Sequence, residues 1–345
     1  MRWLTLIGGS LLCAGAVFAQ ADRGTITGTV QDPANSMVPG AVVVAKNTAN
    51  GSAFQTTTTT TGNFTLPSLP AGIYEVTAEA AGFKRYIEHN ARVEVAQVTR
   101  IDITLQVGSA TDSVTVEATA PLLKPDSVEQ SVNFTGDRIN ALPLDFGSTN
   151  GAVGGIRTVL SFMTLAPGVG GDDTNARVNG QLGGTYRIFV DGQDVSNNNS
   201  PTSTAGQPSV ENVEEFSLQT SNFAAEYGQV AGGMFTFAMR SGTNRFHGSL
   251  YEYFTNEKMD ASVPFGTFDA KGNALPHAKP KSRKNDYGGL ISGPVWIPKI
   301  YDGHNKTFFT FNYEGFRNVT SLAGSVKSVP TEAFRAGDFS AILGA

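Results

Sequence analysis

Apolar and polar residues alternate with period two through much of residues 24–107. Ile26, Gly28 and Val30 alternate with Thr25, Thr27 and Thr29. Tyr74, Val76 and Ala78 alternate with Glu75, Thr77 and Glu79, and Ile101, Ile103 and Leu105 alternate with Asp102 and Thr104. One apolar face per segment predicts half-buried antiparallel strands. Turn chemistry separates them at Pro39-Gly40, Asn50-Gly51, Thr61-Gly62-Asn63, Pro70-Ala71-Gly72 and Ala81-Gly82. Short strands without a helical period predict a small β-sandwich over residues 20–107. Its aromatic residues, Phe54, Phe64, Tyr74, Phe83 and Tyr86, fall where core packing is expected rather than a stacking platform.

The pattern then changes. Residues 108–127 read as a linker around the extended, β-prone stretch Asp112 to Ala118, with Pro121 and Pro125 after it. Residues 128–244 mix element types, as in an α+β domain. Asp137 to Leu142 reads as a short helix, and Val159 to Leu165 leads into the turn Pro167-Gly168-Val169. Arg177 to Gly180 and Tyr186 to Gly192 read as strands with turns, Glu211 to Glu215 as a helical turn, and Phe216 to Gln219 as extended. The tract Ser196 to Gly206 has no core-forming residues and reads as a loop.

Residues 245–345 alternate again, but with aromatic residues on the apolar face. Phe309, Phe311 and Tyr313 oppose Thr310, Asn312 and Glu314. Asp286 to Val295 and His247 to Phe254 read as two further strands, separated by a long polar loop that includes the basic run Lys279 to Lys284. Lipid outside and lumen inside is the expected reading of such strands. Val213 to Tyr253 joins the two kinds of β-structure: a small soluble domain feeds directly into a barrel wall. Three or four strands cannot close a barrel, since the smallest bacterial ones use about eight. The chain is therefore expected to be the N-terminal part of a longer protein, or a truncated product.

Composition fits this picture. Hydrophobic residues make up 40% and charged residues only 16%, with 39 Gly and 22 Phe, which suits an all-β chain with an apolar exterior. A net charge of −5 offers no basic footprint, so no nucleic-acid partner is expected. Arg2, the apolar run Trp3 to Val17 and the small residues Val17 and Ala19 make residues 1–19 a signal peptide cut between Ala19 and Gln20. The alternative, a membrane anchor, has a short run for a spanning helix. The only cysteine, Cys13, lies in that segment, so the mature chain is expected to hold no disulfide. No later run reaches the ~18 apolar residues of a spanning helix, so any crossing is expected to be a barrel.

Catalytic chemistry is not evident. His89, His247, His277 and His304 are scattered without metal-ligand spacing, and no activated nucleophile appears. Asp172 to Asn175 and Asp191 to Asp194 carry oxygen ligands but lack the closing Glu of a calcium loop, so they read as turns. The expectation is a non-enzyme with no catalytic residue, metal or cofactor.

Three resemblances sharpen these expectations. GTITGTVQDPANSMVPGAVVVAKN, TTTGNFTLPSLPAGIYEVTAEAAGF and RIDITLQVG resemble the carboxypeptidase regulatory-like domain, a transthyretin-like sandwich of the carbohydrate-binding-like fold. That implies a non-catalytic module, in a fold some members of which bind glycans. LSFMTLAPGV, RVNGQ, YRIFVDGQDV, VENVEEFSLQTSNFAAEYG and GGMFTFAMRSGTNRFHGSLYEYF resemble the plug of TonB-dependent outer-membrane receptors of the Oar-like group. Leu144 to Arg157 is longer and more Gly-rich than usual there, and Ala238-Met239 stands where β-branched residues are commoner. NKTFFTFNYEGFR and SVPTEAFRAGDFS resemble the opening of an Oar-like barrel.

The resemblance implies an outer-membrane location and uptake of an extracellular ligand of glycan, siderophore, peptide or protein class. It also implies a TonB-type energy-coupling partner, which would capture a TonB box by strand addition. The matching residues are Asp112, Ser113, Val114, Thr115, Val116, Glu117 and Ala118. The same stretch also reads as the last strand of the sandwich or as plain linker. Ser196, Asn197, Asn198, Asn199 and Ser200 are candidate ligand contacts or a solvated spacer. A second functional class stays open: a non-transporting carbohydrate- or protein-binding adhesion protein of the cell envelope.

Overall fold

The computed structural model describes residues 23–109, 112–117, 129–142, 157–171, 176–196, 208–223, 228, 230–261, 281–320 and 329–340. The chain divides into two compact units, Met1–Tyr253 with Asp286–Phe316, and Phe254–Asn285 with Arg317–Ala345.

The larger unit opens with a sandwich of nine strands: β1 (Gly24–Gln31), β2 (Val42–Asn47), β3 (Ala53–Thr57), β4 (Asn63–Leu69), β5 (Gly72–Glu79), β6 (Arg85–Val93), β7 (Val98–Arg100), β8 (Ile103–Thr104) and β9 (Ser113–Glu117). One sheet runs β3-β2-β5-β6-β9. The other runs β4-β1-β7, with β8 also on β1. Ile26, Val30, Val43, Tyr74, Val76 and Ile103 are fully buried between them, each stabilising the fold by roughly 1.5–3 kcal/mol through burial. The aromatics fill this core: Phe64, Tyr74 and Tyr86 are buried, with Phe54 and Phe83 packed against them. Tyr74 reaches a polar partner by donating its hydroxyl to Pro70 O at 2.8 Å.

Not all pairing is antiparallel, as the alternation had suggested. β7 and β8 run parallel to β1 (Thr25 opposite Val98, Val30 opposite Ile103), and β9 runs parallel to β6. Asp102 separates β7 from β8, because its carboxylate accepts from Thr29 N at 3.0 Å and Thr29 Oγ1 at 2.8 Å. Ile101 N, donating to Thr27 O at 2.8 Å, holds the register across the break. The approach is close enough to require Gly28, where a Cβ would lie 1.8 Å from Ile101 O. The segment expected as linker thus contributes a sandwich strand at 113–117.

The plug follows. It contains β10 (Gln130–Thr135), α1 (Gly136–Ala141), a 3-10 turn (Val159–Leu165), β11 (Val169–Gly170), β12 (Arg177–Val178), β13 (Arg187–Val190) and β14 (Gln193–Asp194). A second 3-10 turn (Val210–Asn212), β15 (Val213–Ser221) and β16 (Met234–Met239) complete it. Its main sheet runs β10-β15-β16-β13-β14. The core is a stack of rings, with Phe216 lying 5.4 Å from Phe134 and 4.9 Å from Phe237. The expected helical turn at Glu211 to Glu215 is shorter. It spans Val210–Asn212, and the strand already begins at Val213, which pairs with Met239 ahead of a register shift between Val213 and Glu215. β15 is covered on both faces, which hides its period in the sequence.

The wall begins with β17 (His247–Asn256) and β18 (Ser282–Pro294). The short hairpin β19 (Trp296–Ile297) and β20 (Tyr301–Asp302) leads into β21 (Phe308–Thr320). The sheet order is β17-β18-β21. Leu250, Phe311 and Tyr313 stand out on its apolar face, Leu250 at 93% exposure. The basic run expected as loop instead ends inside β18, where Arg283 pairs with Glu257 at 2.9 Å. That pair lies in the smaller unit, which also holds α2 (Glu332–Arg335), capped by Thr331 Oγ1 accepting from Phe334 N at 3.3 Å. Among the described residues no helix is long and apolar enough to cross a membrane.

Candidate functional site

The plug meets its neighbours along two seams, and β15 sets up the first. Its Phe216 and Leu218 enter the ring stack, so period two turns Glu215, Ser217 and Gln219 to the opposite face. That face meets the sandwich loop Glu94 to Gln97. Glu215 is only 3% exposed. Its Oε1 accepts from Val95 N at 3.2 Å and from Asn133 Nδ2 at 3.0 Å. Asn133 Nδ2 also donates to Glu94 Oε2 at 3.2 Å, and its Oδ1 accepts from Ser217 Oγ at 2.8 Å. Gln97 donates to Ser131 Oγ at 2.6 Å, and Gln219 donates to Ala96 O at 3.2 Å. Burial pushes the Glu215 carboxyl up to about 7, and the Glu94 charge adds to that. The Val95 amide, Arg92 and Asn133 pull the other way.

The second seam joins the plug to the wall. On β17, Tyr251 and Tyr253 point inward while Leu250 points out. Tyr253 donates its hydroxyl to Glu211 Oε1 at 2.7 Å and accepts from Arg157 Nη1 at 2.6 Å. Arg157 also faces Glu211 at 3.4 Å, donates to Ile139 O at 3.0 Å, and lies 5.0 Å over the Tyr253 ring. Both ionic side chains are nearly closed off from solvent, at 9% and 12% exposure. Tyr251 reaches Ser209 Oγ and Glu314 Oε2, each at 3.2 Å. At the rim, Asn244 and Asn305 exchange amide hydrogen bonds at 2.8 and 2.7 Å, while Asn244 N donates to Ala49 O of the sandwich at 3.0 Å. A polar cleft of about 590 Å³, lined by residues including Arg92, Asp137, Glu214, Arg240 and His247, opens among these parts. Both charge signs face it, so it selects neither a simple anion nor a simple cation.

Of the residues singled out from the sequence, Ser113 to Glu117 form β9, the edge strand of the sandwich, and Asp112 pairs with Lys84 at 3.5 Å. Ala118 lies outside the described residues, as do Ala19, Gln20 and Asn197 to Ser200. Ser196 closes the β13–β14 hairpin, accepting from Ile188 N at 2.8 Å and donating its amide to Asp194 at 2.9 Å. Asp191 sits in the turn after β13, where its carboxylate accepts from Met239 N at the end of β16 at 2.9 Å. Asp172 to Asn175 lie outside the described residues. His89 pairs with Glu75 at 3.1 Å and His304 with Asp302. Sequence reasoning missed Arg157, Glu211, Glu215 and Tyr253. The one available signal was an inward-facing tyrosine pair on a strand directly joined to the plug.

Comparison with known proteins agrees with this architecture. Residues 25–106 match the carboxypeptidase regulatory-like domain and residues 238–345 an outer membrane beta barrel domain. The chain is 26% identical over 298 residues to the TonB-dependent transporter Oar of Myxococcus xanthus. It is a homologue of that transporter. The alignment spans 86% of this chain and 27% of the relative's length. The barrel match and this homologue place the chain in the outer membrane. Among solved structures, a mutant ferric enterobactin receptor of Pseudomonas aeruginosa aligns over 49% of this chain and 23% of its own, at 17% identity and a TM-score of 0.33. The pilus 2b backbone protein of group B streptococcus aligns over 26% and 42%, at 17% identity and a TM-score of 0.20. Likenesses this slight bear no weight here.

Proposed function

We propose that this chain supplies the periplasmic sandwich, coupling segment, plug and first wall strands of an energised outer-membrane receptor. Its ligand would be a glycan, siderophore, peptide or protein, and its partner a TonB-type energy-coupling protein. One observation carries the reading: β16 of the plug passes through Arg240 to Asn244 straight into β17, and Tyr253 on β17 is bonded back to Arg157 and Glu211 of the plug. A plug covalently continuous with the wall and latched to it suits a gate inside a pore. The coupling segment is Asp112 to Ala118, and the loop from Ser196 to Ser200 contributes ligand contacts.

Deleting 113–117 from the full-length protein tests the reading. Cells are supplied singly with a ferric siderophore, an oligosaccharide or a peptide. Energised uptake of the accepted compound should cease while its binding to the cell surface persists. Uptake unchanged by the deletion rejects the assignment.

A further inference from the structure

β9 lies at the end of the sheet order β3-β2-β5-β6-β9, so one of its edges is paired and the other is open. The paired edge is well defined: Arg85 to His89 stand opposite Ser113 to Glu117 in unbroken parallel register. Arg85 N donates to Asp112 O at 3.0 Å, and the Lys84–Asp112 ion pair sits beside it. In a parallel ladder the amides of one strand point alternately to either side. The Arg85 bond fixes the phase. Val114 and Val116 turn their N–H groups to β6, whereas Ser113, Thr115 and Glu117 turn theirs outward. Among the described residues nothing pairs with that outer edge. The strand SVTVE has no Lys, no Pro and no bulge, three of the guards that keep an edge from pairing.

We propose that the coupling partner docks on this outer edge, adding its own strand at Ser113, Thr115 and Glu117 while β9 stays on β6. The inference rests on the reading of Asp112 to Ala118 as the coupling segment. The occupant is a β-strand of the TonB-type protein, and the sandwich is the platform that holds the segment extended for it. A preformed strand removes part of the ordering cost that a free peptide meets on strand addition. It also changes which residues matter. Proline at Val114 or Val116, the obvious choice from sequence, strikes amides committed to β6, while proline at Thr115 strikes the docking edge.

Residues 20–345 contain no cysteine, so within them an engineered pair has no competing thiol, and its disulfide is identified by peptide mapping. Glu88 and Val116 are register partners, and Glu88→Cys with Val116→Cys staples β9 to β6 on oxidation. The full-length protein is assayed for binding the purified periplasmic domain of the coupling protein. The expected result is that the staple forms and the oxidised protein binds within about twofold of the reduced one, while Thr115→Pro in the stapled background weakens binding by about tenfold. Binding lost on oxidation and restored by reductant overturns the proposal, because β9 must then leave β6. Failure of the cysteines to pair overturns it too. Binding untouched by removal of 113–117 has a different meaning: it rejects the coupling segment itself.

Discussion

On the sandwich side of the plug, Glu215 is held by an amide N–H and an asparagine, with amide and hydroxyl contacts from Gln97, Ser131 and Gln219 around it. On the wall side, Arg157 is buried with Glu211 and Tyr253. The first seam turns on Glu215, whose charge is lost near neutral pH; the ion pair beside it, Arg92 with Glu94 at 3.3 Å, is made by its neighbour and stays half-exposed. The second has an arginine that never loses its charge and a fork of bonds to use it. The contrast separates a contact suited to yielding from one suited to holding. In the proposed function that is a division of labour: the sandwich side can part under load while the plug stays referenced to its wall.

The largest effect should come from breaking the holding seam. Arg157→Ala leaves Glu211 buried without its cation and should cost about 3–5 kcal/mol, read as loss of hydrogen-exchange protection across Val213–Ser221. A loss under about 1 kcal/mol would mean that the ion pair holds nothing. Next comes the pH dependence of the yielding seam. Glu215 has a folded pKa raised from 4.5 to about 7, so the docked state binds the extra proton. Its stabilisation is complete below about 4.5 and is lost as pH climbs through about 7. The swing should be about 3 kcal/mol, seen as tighter protection of Glu94 to Gln97 in acid. Glu215→Gln should flatten that profile, and a profile that survives the substitution assigns the titration elsewhere. Tyr253→Phe keeps the ring under Arg157 but removes the hydroxyl, for about 1 kcal/mol in the same exchange assay. Gln97→Ala should be the mildest, about 0.5–1 kcal/mol, confined to the sandwich side. Equal effects at both seams would erase the contrast.

The sandwich was legible because most of its strands keep one wet face, so Ile26, Val30, Tyr74 and Val76 announce themselves by alternation. Strand direction was not legible, since alternation is the same for parallel and antiparallel neighbours. Phe216 to Gln219 was legible as extended, but the start of β15 was misjudged because both its faces are covered, and VENVEE shows acids where a solvated helical turn is the ordinary reading. Nothing near Glu215 in sequence reveals that Val95 and Asn133 come to it. Arg157 closes a Gly-rich tract and its partners lie far along the chain, so its burial is a tertiary fact. The stretch Asp112 to Ala118 was recognisable as extended, but which of its amides stay free depends on the register with β6.

The parallel pairing of β1 bears on how the protein is made. A chain that is exported N-terminus first delivers Gly24–Gln31 early, yet that strand finds Val98–Arg100 and Ile103–Thr104 only at the end of the sandwich. Pairings that join distant parts of a chain are slow to form. Until they do, Ile26 and Val30 sit on a strand with β4 on one side and an open edge on the other, the kind of surface that aggregates. The arrival of Val98 to Thr104 is thus the step that completes the β1 sheet. A nascent chain halted before it should depend on periplasmic chaperones, and one released after it should not.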